Sequence, residues 1–219
     1  TKVDNIQLAL HSDAFDIESR SGPISGEVSA DRLGLDNPTV APLIAGRIVA
    51  KVAGDLTKDT ITVGSGSITS DALKGGFDGK VSLADGSIEL NVKADAASAA
   101  LPAAARPVLG ERTVLSVSLK RDSNGNVTAE GLDLAGGALS AKGSGSFIDG
   151  QVSADLKGGV TDVSLLSKDA KGAIGFALSA KGAPAMPDVA LSLGSDKLVV
   201  AGRDITGLKL SAEGKADMA

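Results

Sequence analysis

Apolar and polar side chains alternate along almost the whole chain. In one segment, Ile88, Leu90 and Val92 alternate with Glu89 and Asn91. A period of two places the apolar side chains on one face of an extended strand and the polar ones on the other. The same alternation recurs in residues 6–10, 48–52, 114–119, 132–134, 189–193 and 208–212. The pattern predicts an all-β chain whose strands each have one apolar face and one face in water.

Short pairs that end in glycine interrupt these strands. Glycine adopts positive φ without strain, which is what the tight turns of β-hairpins require. Four pairs have the preferred sequence: Asp78-Gly79, Asp85-Gly86, Asn124-Gly125 and Asp149-Gly150. Hairpin turns join antiparallel neighbours, so the sheet is predicted to be mainly antiparallel.

The sequence also repeats itself. Residues 24–31 are nearly reproduced by residues 148–155, an offset of 124 or twice 62, and residues 84–91 supply the middle copy. A second marker ends in Gly46, Gly110 and Gly172, which are 64 and 62 residues apart. A regular period of this size indicates modules stacked in one dimension. We therefore expect one elongated unit over 1–219, with modules 1–33 (partial), 34–97, 98–160 and 161–219 (partial).

Bridges rich in proline and alanine separate the modules, at about 37–45, 97–109 and 161–170. Two interpretations of them remain open. They form one or two helical turns that pack Leu43, Leu101 and Leu166 against the sheet, or they are irregular crossover loops. Proline excludes any longer helix, and it occurs at Pro38, Pro42, Pro102 and Pro107.

Composition argues against a thick globular core. The chain has 28 Gly and four Phe but no Trp or Tyr, so the bulky side chains that usually fill a core are nearly absent. An open or thin sheet covered by Leu, Ile, Val and Ala needs no such fillers. The net charge is −5 with the charges dispersed singly, which argues against nucleic acid as a partner. No apolar run reaches the ~18 residues that a membrane-spanning helix needs.

Nothing in the sequence predicts catalysis, a metal site or a cofactor. There is no Cys, and His11 is the only imidazole, so we expect it to have a surface or structural role. The segments 64–67 and 143–146 (Gly-Ser-Gly-Ser) lie among strands, so they predict bulges or turns and not a nucleophile elbow. The acidic residues at turns and on the polar face predict a solvated surface, with turn-bound calcium as the remaining alternative: Asp55, Asp59, Asp71, Asp78 and Asp85.

The apolar face itself is the candidate binding surface. If no second layer covers it, it forms a long groove that needs a partner, and acyl chains suit it because apolar burial requires no polar contact. The alternative is a sheet folded over on itself, as in a sandwich. The predicted lining is Ile48, Val52, Ile61, Val63, Leu83, Ile88, Leu90, Val92, Leu115, Val117, Leu119, Leu134, Phe147, Val152, Leu156, Phe176, Leu178, Leu191, Leu193 and Leu210.

The C-terminal part resembles a recurring unit of the TamB family, the inner-membrane subunit of the translocation and assembly module and a relative of AsmA-like proteins. Residues 180–193, 198–205 and 208–214 carry the resemblance. A G-x-x-x-x-P segment precedes a strand, a glycine-containing link follows, and an L-x-L-x-A-x-G strand ends the unit. These motifs are Gly182 to Pro187 and Leu208, Leu210, Ala212 and Gly214.

The resemblance implies an elongated, curved, taco-like sheet with an apolar groove. It implies a periplasmic segment of a bridge-like protein for outer-membrane biogenesis, tethered to the inner membrane by a segment outside this sequence. The groove would carry phospholipid acyl chains between the inner and outer membranes, aid outer-membrane protein assembly, or do both. The implied partners are phospholipid, an outer-membrane barrel protein (TamA or BamA-like) and unfolded outer-membrane proteins, with no enzymatic residue and no cofactor.

Two alternatives remain. One is a structural or adhesive surface β-solenoid with a closed core, like the passenger of an autotransporter. The other is a chaperone-like groove that offers strand edges to unfolded outer-membrane proteins.

Overall fold

The computed structural model describes residues 2–34 and 41–217, so Pro38 lies outside the described residues. The strands are β1 (Lys2–Asp4), β2 (Gln7–His11), β3 (Gly22–Ala30), β4 (Arg32–Gly34), β5 (Ile48–Leu56), β6 (Thr60–Thr69), β7 (Leu73–Ser82), β8 (Ile88–Ala97), β9 (Arg112–Arg121), β10 (Val127–Gly136), β11 (Leu139–Ile148), β12 (Gln151–Val160), β13 (Ala170–Gly172), β14 (Ile174–Gly182), β15 (Asp188–Val200) and β16 (Arg203–Lys215). The described helices are short. One is the α-helix α1 (Arg106–Leu109), and the others are 3-10 turns at Ala41–Ile44, Ser98–Ala100 and Val163–Leu165.

All strands from β2 to β16 except β4 belong to one open antiparallel sheet, and β1 pairs with β4 in a separate two-stranded sheet. The large sheet is a meander in which each strand pairs with the next one in it along the chain, except that β12 pairs with β14 and β13 pairs with β15. β13 and β14 share one edge of β15, while β16 pairs with its other edge. Twelve inter-strand spacings of ~4.8 Å give a length of about 58 Å. The predicted all-β, elongated antiparallel sheet is confirmed.

Two β-bulges interrupt the sheet, and each lies in the second strand of a four-strand group. In β6, the register shifts between Val63 and Gly66, and in β10 it shifts between Ala129 and Leu132. An extra residue on one strand increases the local twist and bends the sheet. The prediction of a bulge in 64–67 is therefore confirmed. Residues 143–146 instead pair in unbroken register with β12 and form neither a bulge nor a turn.

Three of the four predicted hairpin turns are present. Gly86, Gly125 and Gly150 lie in turns with φ of +72°, +87° and +77°, respectively. The prediction for Asp78-Gly79 is wrong, because both residues lie inside β7. A side chain on Gly79 would collide with the backbone carbonyl oxygen of Glu89 in β8, so the glycine is explained by close strand packing and not by a turn.

The three bridges all lie at one end of the strands, since each full module contributes four strands and returns the chain to the same side. Modules 34–97 and 98–160 contain β5–β8 and β9–β12. We call this side the bridge rim (residues 41–47, 98–111 and 161–169). The opposite side is the turn rim (residues 57–59, 83–87, 122–126 and 149–150). The marker residues Gly46, Gly110 and Gly172 all have positive φ where the bridges lead into strands, so the repeat has a backbone cause.

The buried core is small and lies along the bridge rim. Val108 of α1, Val163 of the third bridge, Val160 and Leu198 form one buried cluster. The bridges thus contain helical turns, but the leucines predicted to pack against the sheet are not the buried residues. Ile44, Leu109 and Val163 are the buried residues, whereas Leu166 is 54% exposed and Leu43 and Leu101 are only half-buried. The sequence does not fix the rotational phase of these short turns, so it does not determine which of their side chains faces the sheet.

Candidate functional site: the apolar face

Strand pairing places the predicted lining residues on one side of the large sheet. Residues that are directly opposite in neighbouring strands share a face, and Leu90 is opposite Leu119 while Val92 is opposite both Phe77 and Val117. The same register joins Leu156 to Leu178 and Leu178 to Leu191. We call this side the apolar face. Of the predicted residues only Leu83 is not in a strand, since it lies in the turn 83–87.

The apolar face is larger than predicted. The same alternation places further residues on it that the sequence prediction did not name, among them Ile68, Val81, Leu132, Leu139 and Ile174. The face therefore extends from β2 to β16. A stricter application of the period of two to every strand would have found these residues.

No second layer covers this face within the described residues. Among the predicted lining residues only Ile48 and Val63 are buried, and Phe147, Leu178 and Leu210 are 42%, 37% and 54% exposed. The chain as a whole exposes 13569 Å², whereas a compact protein of 21.6 kDa exposes about 9200 Å². The described sheet is thus a single layer, and the sandwich alternative does not describe it.

Two phenylalanine rings pack over glycines on this face. Phe77 of β7 covers Gly66 of β6, and Phe176 of β14 covers Gly158 of β12. Each ring occupies the space that a side chain on the glycine would need. The rings therefore cover the backbone of the neighbouring strand.

The opposite face is polar and carries balanced ion pairs. Lys51 Nζ lies 3.0 Å from Glu27 Oε2, and Arg112 Nε lies 2.8 Å from Asp95 Oδ1. These pairs are solvent-exposed, so each contributes little to stability. Shallow depressions indent this face, one of them beside Asn91. Their linings are mostly Ser, Gly and charged residues, which distinguishes them from the apolar face.

Further polar contacts on that face follow the same logic. Asn91 donates to Asp78 (2.9 Å) and accepts from Ser118 (2.8 Å). The Lys142 ammonium lies 2.8 Å from Asp133 Oδ2, and the hydrogen bond to that carboxylate raises the pKa of Lys142. The strands therefore present their charges to water, as their alternation predicted.

Acidic residues of the turns bind their own backbone. Asp85 accepts from the Ser87 N–H (3.0 Å) and hydroxyl (2.8 Å). Hydrogen bonds from the Ser82 hydroxyl and from Ser87 lower the pKa of Asp85 to about 2. A hydrogen bond from the Asn126 side chain likewise lowers the pKa of Asp122. These carboxylates act as turn caps.

The remaining candidate residues, His11 and the acidic residues, lie at the surface. His11 is exposed, and its Nε2 lies 2.6 Å from Asp13 Oδ1. Asp59, Asp71 and Asp85 lie in turns, and Asp55 lies in a strand on the polar face. No group of three or more His, Asp or Glu that could hold a metal ion occurs within residues 2–34 and 41–217. In that same part of the chain, no helix is long and apolar enough to cross a membrane.

Comparisons with known proteins add no relative. No protein-family model, no curated protein and no solved structure matches the chain.

Proposed function

We propose that this chain is a segment of a bridge-like protein that carries phospholipid between membranes, with the acyl chains lying on the apolar face. The observation that carries the proposal is the extent of that face, which is continuous over about 58 Å and uncovered among the described residues. Acyl chains gain about 25 cal/mol per Å² of apolar area buried, without specific polar contacts. A predominantly apolar surface suits a ligand that has to move along it.

The proposal includes a cellular setting. The segment would lie in the periplasm, tethered to the inner membrane by a part of the protein outside this sequence, and would act in outer-membrane biogenesis with an outer-membrane barrel partner of the TamA or BamA-like kind. These elements rest on the resemblance of residues 180–214 to the TamB family.

Lipid extraction from the purified 219-residue chain, followed by mass spectrometry, tests the proposal. Photo-crosslinking residues at Leu90 and Leu119 on the apolar face should form phospholipid adducts, whereas the same groups at Asn91 and Lys120 on the polar face should not. Equal labelling at the four positions, or no lipid at all, would contradict the proposal.

A charge on the apolar face should stop lipid movement. Leu119→Arg places a guanidinium among acyl chains, and its removal from water is unfavourable. The matched control is Ser144→Arg, which adds the same charge on the polar face opposite Asp155. We expect lipid transfer between vesicles to fall severalfold with Leu119→Arg and to be retained with Ser144→Arg. Equal transfer by the two variants would argue against the apolar face as the path.

One observation favours a second candidate, assistance of outer-membrane protein assembly. β16 is 13 residues long and, within the described residues, pairs on one side only. An exposed strand edge can accept an extended peptide by backbone hydrogen bonding. Crosslinkers on β16 that capture unfolded barrel protein, with none captured at Leu90, would favour this function. The closed core of a surface β-solenoid does not occur among the described residues.

A further inference from the structure

One charged side chain interrupts the apolar face. In β2–β12 and β14, Arg121 is the only charged residue at the register positions of that face, and its direct neighbours across the strands are Ile88 and Val127. β5 and β14 occupy the places in their modules that β9 occupies in its own. At the turn rim, the apolar face ends in Leu56 on β5 and in Gly182 on β14. The repeat therefore does not explain a cation at this point of β9.

The guanidinium lies at the turn rim between two turns. Its Nη1 donates to the Gly86 carbonyl oxygen at 2.9 Å. Its Nη2 lies beside Gly125, 3.7 Å from the place a β-carbon there would occupy. An arginine side chain has five N–H donors, so this backbone contact uses only a part of what Arg121 offers. The residue is exposed, and the carboxylates of both turns are occupied by their own backbone.

The two rims differ in how they end the apolar face. At the bridge rim, the apolar face ends against the buried side chains of Ile44, Val108 and Val163. At the turn rim, short turns leave Val127 and Phe147 37% and 42% exposed next to Arg121. Ten-residue strands are about 33 Å long, which exceeds the ~15 Å of one bilayer leaflet's hydrocarbon. An acyl chain that starts at the turn rim thus fits along the strands.

We infer that Arg121 binds the phosphodiester of a phospholipid whose acyl chains lie on the apolar face and run from the turn rim towards the bridge rim. The inference rests on the proposed function and adds an orientation and a headgroup contact to it. Guanidinium donors pair with phosphate oxygens through strong, charge-assisted hydrogen bonds. At the edge of the face, the phosphate stays in water while the chains are covered.

Binding of two short-chain lipids with identical acyl chains tests the inference. Dihexanoyl-phosphatidylcholine and dihexanoylglycerol, both below their aggregation concentrations, are titrated against a bound fluorescent fatty acid. We expect the wild-type chain to bind the phospholipid about five- to tenfold tighter, because only this lipid has a phosphate. Arg121→Gln should reduce the affinity for the phospholipid to that for the glycerol lipid. Lys120→Gln, which removes the neighbouring cation from the polar face, should behave as wild type.

The outcomes separate the inference from the proposed function. If wild type binds both lipids equally, or if Arg121→Gln keeps the preference, the role of Arg121 is refuted while lipid binding stands. If neither lipid displaces the probe, the proposed function fails as well. Inorganic phosphate should not bind measurably at millimolar concentration, and Arg121-dependent binding of phosphate alone, as tight as that of the phospholipid, would make this a free-anion site and refute the lipid orientation.

A measurement on the wild-type chain avoids dependence on the folding of a variant. In nuclear magnetic resonance spectra, the Arg121 Nε–H signal should shift when the phospholipid is added and stay in place when the glycerol lipid is added. Identical shifts with both lipids would contradict a phosphate contact.

Discussion

Gly66 is a position at which a single methyl group should displace an aromatic ring of the apolar face. The glycine lies directly opposite Phe77 in the β6–β7 pair, and Phe77 Cδ2 is 2.6 Å from the place where a β-carbon on Gly66 would be. Carbon atoms in contact are about 3.5–4.0 Å apart. In Gly66→Ala the ring therefore has to leave the sheet. Overpacking of this kind costs about 1–3 kcal/mol.

The matched control for this substitution is Gly145→Ala on the same face. The nearest atom to an added β-carbon there is the Ser153 carbonyl oxygen at 3.5 Å, which is ordinary contact. Replacing glycine by alanine where space and backbone allow it stabilises a protein by about 0.4–1 kcal/mol. The two substitutions should thus differ by about 1.4–4 kcal/mol in the free energy of unfolding, although their chemistry is the same.

Urea unfolding followed by far-UV circular dichroism measures this difference, and hydrogen exchange localises it to β5–β7. A double-mutant cycle gives the sharpest result. If the collision is with the ring, Gly66→Ala costs almost nothing in a Phe77→Ala background, and the coupling energy is about 1–3 kcal/mol. Additive effects, or equal stability of Gly66→Ala and Gly145→Ala, would refute the explanation.

Three further predictions follow from the rims. Val108→Ala should lower the free energy of unfolding by about 1–2 kcal/mol because Val108 is 4% exposed, whereas Leu166→Ala should change it by less than about 0.5 kcal/mol; urea unfolding compares them. Gly110→Ala should lower the free energy of unfolding by about 1 kcal/mol, because φ at this position is +68°; a lower thermal midpoint would measure this loss. The depressed pKa of Asp85 contributes stability above the unfolded-state pKa of ~4 that is lost as the pH falls to about 2. Asp85→Asn should therefore lower the thermal midpoint at pH 7 and leave it unchanged at pH 2.

Alternation predicted the strands well because each strand has one face in water and one apolar face. Ile88, Leu90 and Val92 needed no other information to be placed in β8 on one face. The glycine at Asp78-Gly79 misled the prediction because glycine serves two purposes. It permits positive φ in a turn, and it permits close backbone approach inside a strand, and local sequence does not distinguish the two.

The anchors of the bridges could not be predicted for a different reason. A helical turn rotates its side chains by about 100° per residue, so a shift of one residue exchanges the buried and the exposed side chain. Ile44 is buried beside the half-buried Leu43, and Val163 is buried while Leu166 is exposed. With turns of only three or four residues, the sequence contains no periodicity that fixes this phase.

Whether the apolar face is open was also beyond the sequence. Strands with one apolar face build a sandwich or a single layer equally well, and only the pairing order of the strands distinguishes them. In this chain every strand from β6 to β11 pairs with its two neighbours in sequence, so none of them is left to form a second layer over the face. The bridges reach only the bridge rim. The open face thus rests on the meander order together with the open edges of the sheet, which ends at β2 and β16.

The size of the exposed area bears on what can occupy the face. The difference between 13569 Å² and the ~9200 Å² of a compact protein is roughly 4000 Å². If half of this area is apolar, covering it would be worth on the order of 50 kcal/mol, several times the net stability of a typical domain. A single small ligand covers a few hundred Å² and therefore provides only a small part of this free energy. Several acyl chains side by side can cover it, which is why a file of lipids suits the face better than one bound molecule.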